Sequence, residues 1–310
     1  MPERLDKLVA ERFQLSRRAA REAVERGQVD VGGERQVDPG FEVEADAAVT
    51  FEPNRPRIGT IDRRLNVLYE DRDILIVDKP AGLLVQPTPA RERDTLLERA
   101  GRYQIHKRGV KKPYVGIVHR IDQLTSGVIL LVTNPRALRP FQDLFRTHTI
   151  ERDYLAVVEG VYLTPEGRID LPLVEDAGDN RRGVSRDPDR GVPATTHFRV
   201  VESYGTVASL IGVRLETGRT HQIRIHLAAV DHAVVGDQVY GRRNRPKFPI
   251  KFPRQALHAA ALGFNHPMSG KPMRVDAPPP ADFTGLVDQL THDYGAVKTA
   301  PTVVGDAIHP

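Results

Sequence analysis

The sequence predicts an α+β protein, a mixed, mostly antiparallel sheet with a few helices, preceded by a small α/β module. Three observations predict it. After residue 65, strand-like segments outnumber helical ones and do not alternate regularly with them, which disfavours a doubly wound parallel sheet. Residues 1–53 carry a helix–helix–strand pattern of their own. Residues 54–64 are polar, with Pro56, Gly59 and four arginines, the composition of a linker. The expected domains are therefore 1–53, a linker at 54–64, a large domain at 65–290 and a tail at 291–310.

In the first module, Leu5, Leu8, Val9 and Phe13 recur at helical spacing. Ser16 is a good N-cap for a second helix, Arg17–Arg26, whose Ala20, Ala23 and Val24 face inward. Gly27 supplies its stop. Val29 and Val31 alternate with polar residues, Gly32-Gly33 turns the chain, and Val49–Phe51 closes the module as a strand. The second helix exposes Arg17, Arg18 and Arg21, a patch suited to phosphates. The module as a whole holds 8 basic and 12 acidic residues, so any grip on a polyanion has to be local.

The large domain opens with strands at Val67–Tyr69 and Ile74–Val77, joined by Asp71-Arg72-Asp73. Asp78–Val85 then breaks the strand with Pro80 and Gly82. Arg91–Lys112 has eight basic against three acidic residues and reads as a phosphate-facing loop with a short helix, or as a solvated helix face. Val115–Val118 and Val128–Val132 are strand-like, and Pro135–Thr147 is helical with Leu138, Phe141, Leu144 and Phe145 on one face. Tyr154–Val158, Thr196–Val201, Val207–Leu215 and Ala256–Phe264 read as strands. Asp176–Pro193 is a charged loop, and a helix spans Thr220 to about Val230. Gly241–Arg254 has six basic residues, no acidic ones, and Phe248 and Phe252 among prolines. Its rings either stack RNA bases or anchor a surface loop. Beyond Pro278 one short helix precedes the tail.

Composition narrows the function classes. The chain of 310 residues lacks cysteine, which excludes disulfides and thiolate metal sites and suits a reducing, cytoplasmic setting. No charged-then-apolar leader is present, and apolar runs fall far short of the roughly 18 residues of a membrane span. A net charge of +4 suits a polyanionic partner. His221 and His226 are five apart, the wrong spacing for zinc on a helix, so no metal is expected. Phosphate-loop, nucleophile-elbow and dinucleotide motifs are missing, and no cofactor is expected.

Chemistry concentrates at His119-Arg120-Ile121-Asp122-Gln123-Leu124-Thr125-Ser126-Gly127, which places one carboxylate on a loop between two strands. Taken alone, Asp122 reads as a turn cap. Thr217–Leu227 adds Arg219, His221 and Arg224, with His221 and Arg224 three apart and so on one face of a helix. A buried arginine needs a carboxylate, and Asp122 is the natural candidate. Such a pair keeps the carboxylate ionised and usable as nucleophile or base.

These stretches carry a resemblance. His119–Gly127 resembles the catalytic motif of the RluA-like pseudouridine synthases. Asp78–Val85 with Gln86-Pro87, Tyr154–Gly160, Thr217–His226, Gly236–Gly241 and Leu257-His258-Ala259 match that family in the same order, over roughly residues 65–275. Arg152 stands where the family more often has Lys, and Ala233 follows His232 where Pro is usual; neither position is expected to touch the chemistry. Arg4–Lys7, Leu15–Ala20 and Glu25–Gly33 are similar to the S-four-type RNA-binding domain, with Gly32 in place of its usual Asn. The resemblance implies a pseudouridine-synthase sheet domain behind a small RNA-binding module. It also implies isomerisation of RNA uridines to pseudouridine without metal or cofactor. In it Asp122 is the essential carboxylate, Tyr154 stacks on the uracil and serves or assists the base at carbon 5, and Arg224 pairs with Asp122. Arg120 fills the space of the flipped nucleotide, while Arg219 and His221 shape the loop or contact RNA. The expected partner is 23S ribosomal RNA ahead of transfer RNA, bound by a cytoplasmic monomer. The rival expectations are a catalytically silent RNA-binding or ribosome-assembly protein and a carboxylate-dependent hydrolase acting on a nucleoside.

Overall fold

The computed structural model describes residues 2–53, 65–87, 94–175, 181–185, 187, 190–241 and 247–299. The expected linker at 54–64 lies outside the described residues.

In the first module, α1 (Leu5–Arg12) and α2 (Arg17–Glu25) pack Leu5, Leu8, Val9, Ala20, Ala23 and Val24 into a core of their own, closed by Val29, Val43 and Val49. The Ser16 side chain accepts from Ala19 N as the cap of α2, an interaction worth about 1 kcal/mol. Val29–Val31 pairs with Val49–Phe51 and also with Glu34–Gln36. The last strand is wholly polar, so alternation could not reveal it.

Among the described residues the large domain is built on an eleven-stranded sheet. Its main path runs Glu166–Asp170, Thr195–Tyr204, Ala208–Leu215, Glu151–Glu159, Leu257–Asn265, Ser126–Val132, Ile74–Lys79, Asn66–Glu70. Every pairing along it is antiparallel except one, where Leu257–Asn265 meets Ser126–Val132 in parallel through two residue pairs, His258 with Ser126 and Ala259 with Gly127.

Ser126–Val132 is buried at every position because helices cover both faces of the sheet there. Leu75, Val77, Ile129 and Leu131 face α3 (Leu96–Arg108), and Ile74, Ile76, Val128, Leu130 and Val132 face Phe141 of α4 (Leu138–Arg146). Each fully buried Leu, Ile or Val contributes about 1.5–3 kcal/mol. The helix after Ala208–Leu215 is α5 (Gln222–Ala229). The C-terminal α6 (Ala281–Tyr294) adds Phe283, Leu286 and Leu290 to the larger core, and Val297–Lys298 extends the sheet beside Thr195–Tyr204. The tail expected from 291 therefore begins inside a helix and is held in the fold as far as Lys298.

The structure refines three loop expectations. In Arg91–Lys112 the helix is 13 residues long, started by a Thr95/Glu98 capping box, and Arg99 is buried against Asp94 rather than facing a phosphate. In Gly241–Arg254, Phe248 and Phe252 pack on the core, so they anchor the loop, and Arg254 is fully buried. Within Asp176–Pro193, Gly183–Val184 pairs with Leu173–Val174; residues 176–180, 186 and 188–189 lie outside the described set.

Candidate active site

Asp122 sits on the loop leading into Ser126–Val132, and Thr125 N donates to its carbonyl at 3.1 Å, closing a turn. Two buried cations hold that loop from beneath. Lys79, 0% exposed, donates to the carbonyls of Pro80, Leu83 and Gln123 at 3.0, 2.8 and 2.9 Å. Burial pulls its ammonium down to about 7, with Arg254 adding to the effect. Arg254 donates to Leu124 O at 3.2 Å while its charge is met by Asp282 at 2.7 and 3.0 Å. Just before the parallel neighbour, Gln255 reaches Thr125 Oγ1, and on that strand His258 Nδ1 lies 3.0 Å from Ser126 Oγ. Gly127 permits this approach. Its φ is +113°, and a Cβ there would stand 2.1 Å from Ala259 O. The carboxylate is thus carried by a rigid support.

Asp122 lines a cleft of about 980 Å³ together with Arg120, Arg152, Tyr154, Arg219, His221 and Arg224. Arg224, on α5, donates from Nη1 to Asp122 Oδ2 at 3.0 Å. Its other two donors go to Asp237, Nε to Oδ2 at 2.6 Å and Nη2 to Oδ1 at 3.0 Å. Burial works against the charge on Arg224, but Asp237 and then Asp122 more than offset it and raise its pKa. Burial likewise pushes the Asp237 carboxyl up, and the hydrogen bonds and charge of Arg224 reverse this to a net lowering. Asp237 Oδ1 also accepts from Val239 N and Tyr240 N, which fixes the Gly236–Gly241 turn. One arginine therefore joins an anchored carboxylate to the carboxylate of the cleft.

His221 reaches Asp122 differently from expectation. It is not on the helix face of Arg224; it precedes α5 in the left-handed region at φ +59°. From there Nε2 lies 3.9 Å from Asp122 Oδ1, and Nδ1 lies 2.9 Å from Tyr240 Oη. Burial lowers its pKa, with Asp122 opposing. Arg224 also sits over the Tyr240 ring at 5.0 Å.

Tyr154 is 8% exposed, and burial pushes its phenol up to about 12, with Arg152 pulling the other way. Arg120 and Arg219 are exposed at the cleft. Arg17, Arg18 and Arg21 are exposed on α2 and do not line the cleft, and Arg21 pairs with Glu25 at 3.0 Å. His119 accepts from Leu130 N at 2.9 Å and is pushed down to about 3 by burial and by Arg152, so it stays a neutral structural residue.

Among the described residues one group could gather a cation, Asp71, Asp73 and His266, and none of them lines the cleft. All three are already engaged. Asp71 caps the hairpin through Asp73 N and Ile74 N, Asp73 meets Asn134 and Arg72, and His266 Nδ1 accepts from Met268 N and Ser269 N.

Sequence reasoning gave no role to Asp237, Lys79 or Arg152. The first had a signal, because a buried guanidinium has more donors than one carboxylate can satisfy. Arg152 had one too, since it is two residues before Tyr154 on a strand and so on the same face.

The chain matches the family model described as RNA pseudouridylate synthase over residues 73–229, and that described as S4 domain over residues 3–49. A protein named ribosomal large subunit pseudouridine synthase D from Zymomonas mobilis is 36% identical over 300 residues, covering 93% of this chain and 93% of that one. Its namesake from Escherichia coli is 37% identical over 273 residues, covering 85% and 79%. The solved structure of human RNA pseudouridylate synthase domain containing 4 superposes with a TM-score of 0.62 at 23% identity, covering 73% of this chain and 92% of that one, a likeness of fold.

Proposed function

This chain belongs to the RNA pseudouridylate synthase family, and from that membership we propose that it isomerises uridines of large-subunit ribosomal RNA to pseudouridine through Asp122. The observation that carries the reading is the Asp122–Arg224–Asp237 relay at the wall of a cleft that also holds Tyr154. Arg224 holds the Asp122 carboxylate by a hydrogen bond and aims it into the cleft, as a nucleophile or base requires. The bond from C1′ to N1 breaks, the uracil turns in place, and C5 bonds to C1′ while its proton is lost. Tyr154 supplies the face on which the base stacks and serves or assists removal of that proton. The nucleotide leaves its helical stack to reach the cleft, and Arg120 fills the vacated space.

The relatives named as ribosomal large subunit synthases favour 23S ribosomal RNA over transfer RNA. The S4 match supports residues 1–53 as a separate grip on that RNA, acting through Arg17, Arg18 and Arg21, with Arg219 on the rim of the cleft. On this reading the activity belongs to a cytoplasmic monomer, the setting that suits a ribosomal RNA substrate. No helix among the described residues is long and apolar enough to cross a membrane.

Asp122→Asn tests the reading. It should abolish pseudouridine formation in ribosomal RNA while leaving RNA binding nearly intact, measured by pseudouridine mapping and by filter binding. A variant that still forms pseudouridine would sink the assignment.

A further inference from the structure

Four arginines among the described residues are at least nine-tenths buried, Arg99, Arg152, Arg224 and Arg254. Three of them meet a carboxylate: Arg99 meets Asp94, Arg224 meets Asp237 and Asp122, and Arg254 meets Asp282. Arg152 meets none within ion-pair distance among the described residues. Its Nη2 donates to the carbonyls of Leu215 at 3.2 Å and Glu216 at 2.6 Å, and its buried Nε has no hydrogen-bond partner. A cation removed from water without a counter-charge is costly, so such a group in a cleft wall suits a ligand that offers it an acceptor and develops negative charge there.

Its position says which ligand atom. Arg152 and Tyr154 both line the cleft and stand two residues apart on one strand, about 7 Å along it. That spacing is comparable with the width of a pyrimidine. Asp153, between them, points to the opposite face, where it pairs with Arg214 and Arg274. Gly218 leaves room for the guanidinium, since a Cβ there would stand 2.5 Å from Nη1. Phosphodiesters are strongly hydrated and suit the exposed rim arginines Arg120, Arg146 and Arg219. Arg152, at 5% exposure, lies where a planar neutral base can reach.

We propose that Arg152 binds the flipped uracil itself, donating to a ring carbonyl oxygen and stabilising the negative charge the base carries once it leaves the sugar. This rests on the functional reading above. When the C1′–N1 bond breaks, its electron pair stays on the uracil and spreads over N1, O2 and O4. Formation of the C5–C1′ bond uses that pair, after which C5 loses a proton and N1 gains one. Arg152 exchanges no proton. It acts as a fixed donor aimed at developing charge, the arrangement that lowers a barrier most in a dry site.

The test compares the full-length protein with Arg152→Met and Arg152→Lys in single-turnover pseudouridine formation and in RNA affinity across salt. The RNA carries uridine, 2-thiouridine or 4-thiouridine at the position modified by the unaltered protein. R152M should lose about 10²–10³-fold in rate with affinity and salt slope little changed, as for loss of one charge-stabilising donor. Sulfur at the contacted oxygen should slow the unaltered protein and should matter less in R152K and R152M. A salt slope lower by about one would instead assign Arg152 to a phosphate. An unchanged rate in R152M, or the same thio penalty in R152K as in the unaltered protein, would overturn the proposal. If R152M fails to fold, the R152K thio comparison still decides. Absence of pseudouridine with the unaltered protein on any RNA would overturn the functional reading, not this contact alone.

Discussion

Asp237→Asn separates the two jobs of Arg224. The change keeps the side chain's shape and an oxygen for Val239 N and Tyr240 N, but replaces one of the two acceptors of Arg224 by a donor. Loss of one hydrogen bond to a buried charge costs about 1.5–3 kcal/mol, and stripping a buried charge of its partner costs about 3–5 kcal/mol. Because Asp122 still pairs with Nη1, the expected loss lies between these limits, about 2–4 kcal/mol. At about 2–4 °C per kcal/mol for a domain of this size, the melting temperature should fall by about 5–15 °C. A guanidinium no longer anchored follows Asp122, and a displacement near 1 Å costs on the order of 100-fold in rate. Thermal melting and single-turnover isomerisation are the assays. The pH dependence adds a third reading. Arg224 holds the folded-state pKa of Asp237 below its unfolded value of about 3.9, so the stability it confers is full above that pH and disappears as pH falls through the folded value. The stability difference between the unaltered protein and D237N should therefore narrow below about pH 4. An unchanged melting temperature together with an unchanged rate would refute the anchoring argument.

Three further outcomes are expected. Lys79→Met leaves three carbonyls without their donor and should cost about 1–3 kcal/mol or more at neutral pH. Because the folded-state pKa of Lys79, about 7, lies below the unfolded value, the penalty for burying its charge is full below pH 7 and relaxes as pH rises. Melting curves should accordingly show the unaltered protein gaining on the variant between pH 7 and about 10, and a pH-independent difference would contradict the assignment. Gly127→Ala puts a methyl 2.1 Å from Ala259 O at a positive φ, so chemical denaturation should report a loss of about 3 kcal/mol or more, and a near-neutral effect would show that the strand pairing yields easily. Replacing Arg17, Arg18 and Arg21 together by Ala should weaken RNA binding and lower the slope of log affinity against log salt by about 1–3, whereas an unchanged slope would remove α2 from the RNA interface.

The fold class was legible because the strands after residue 65 do not take turns with helices, and the helices because Ser16, the 3.6-residue stripe of α1 and the Phe141 face are local signals. Strand order was not legible. It depends on pairings such as Glu151–Glu159 with Leu257–Asn265, across about a hundred residues, for which one sequence holds no local mark. Contact between Asp122 and Arg224 followed from the need of a buried arginine for a carboxylate, a rule that ignores chain separation. His221 was placed on a helix because periodicity cannot show a left-handed residue that is not glycine. Composition also hides burial: Arg99 and Arg254 count as cations in basic stretches, yet both are interior bolts.

The two-pair parallel junction has a consequence for how activity is assembled. Lys79 and the strand that the Asp122 loop leads into belong to the half sheet on one side of it, Arg152 and Tyr154 belong to the other, and Arg224 stands on α5, which follows a strand of that second half. On the proposed assignment, neither half holds the whole site. Catalytic competence then reports the registration of two half sheets. A chain cut between residues 133 and 150 would place the carboxylate on one fragment and its arginine on the other, and turnover would return only when the fragments rejoin in register.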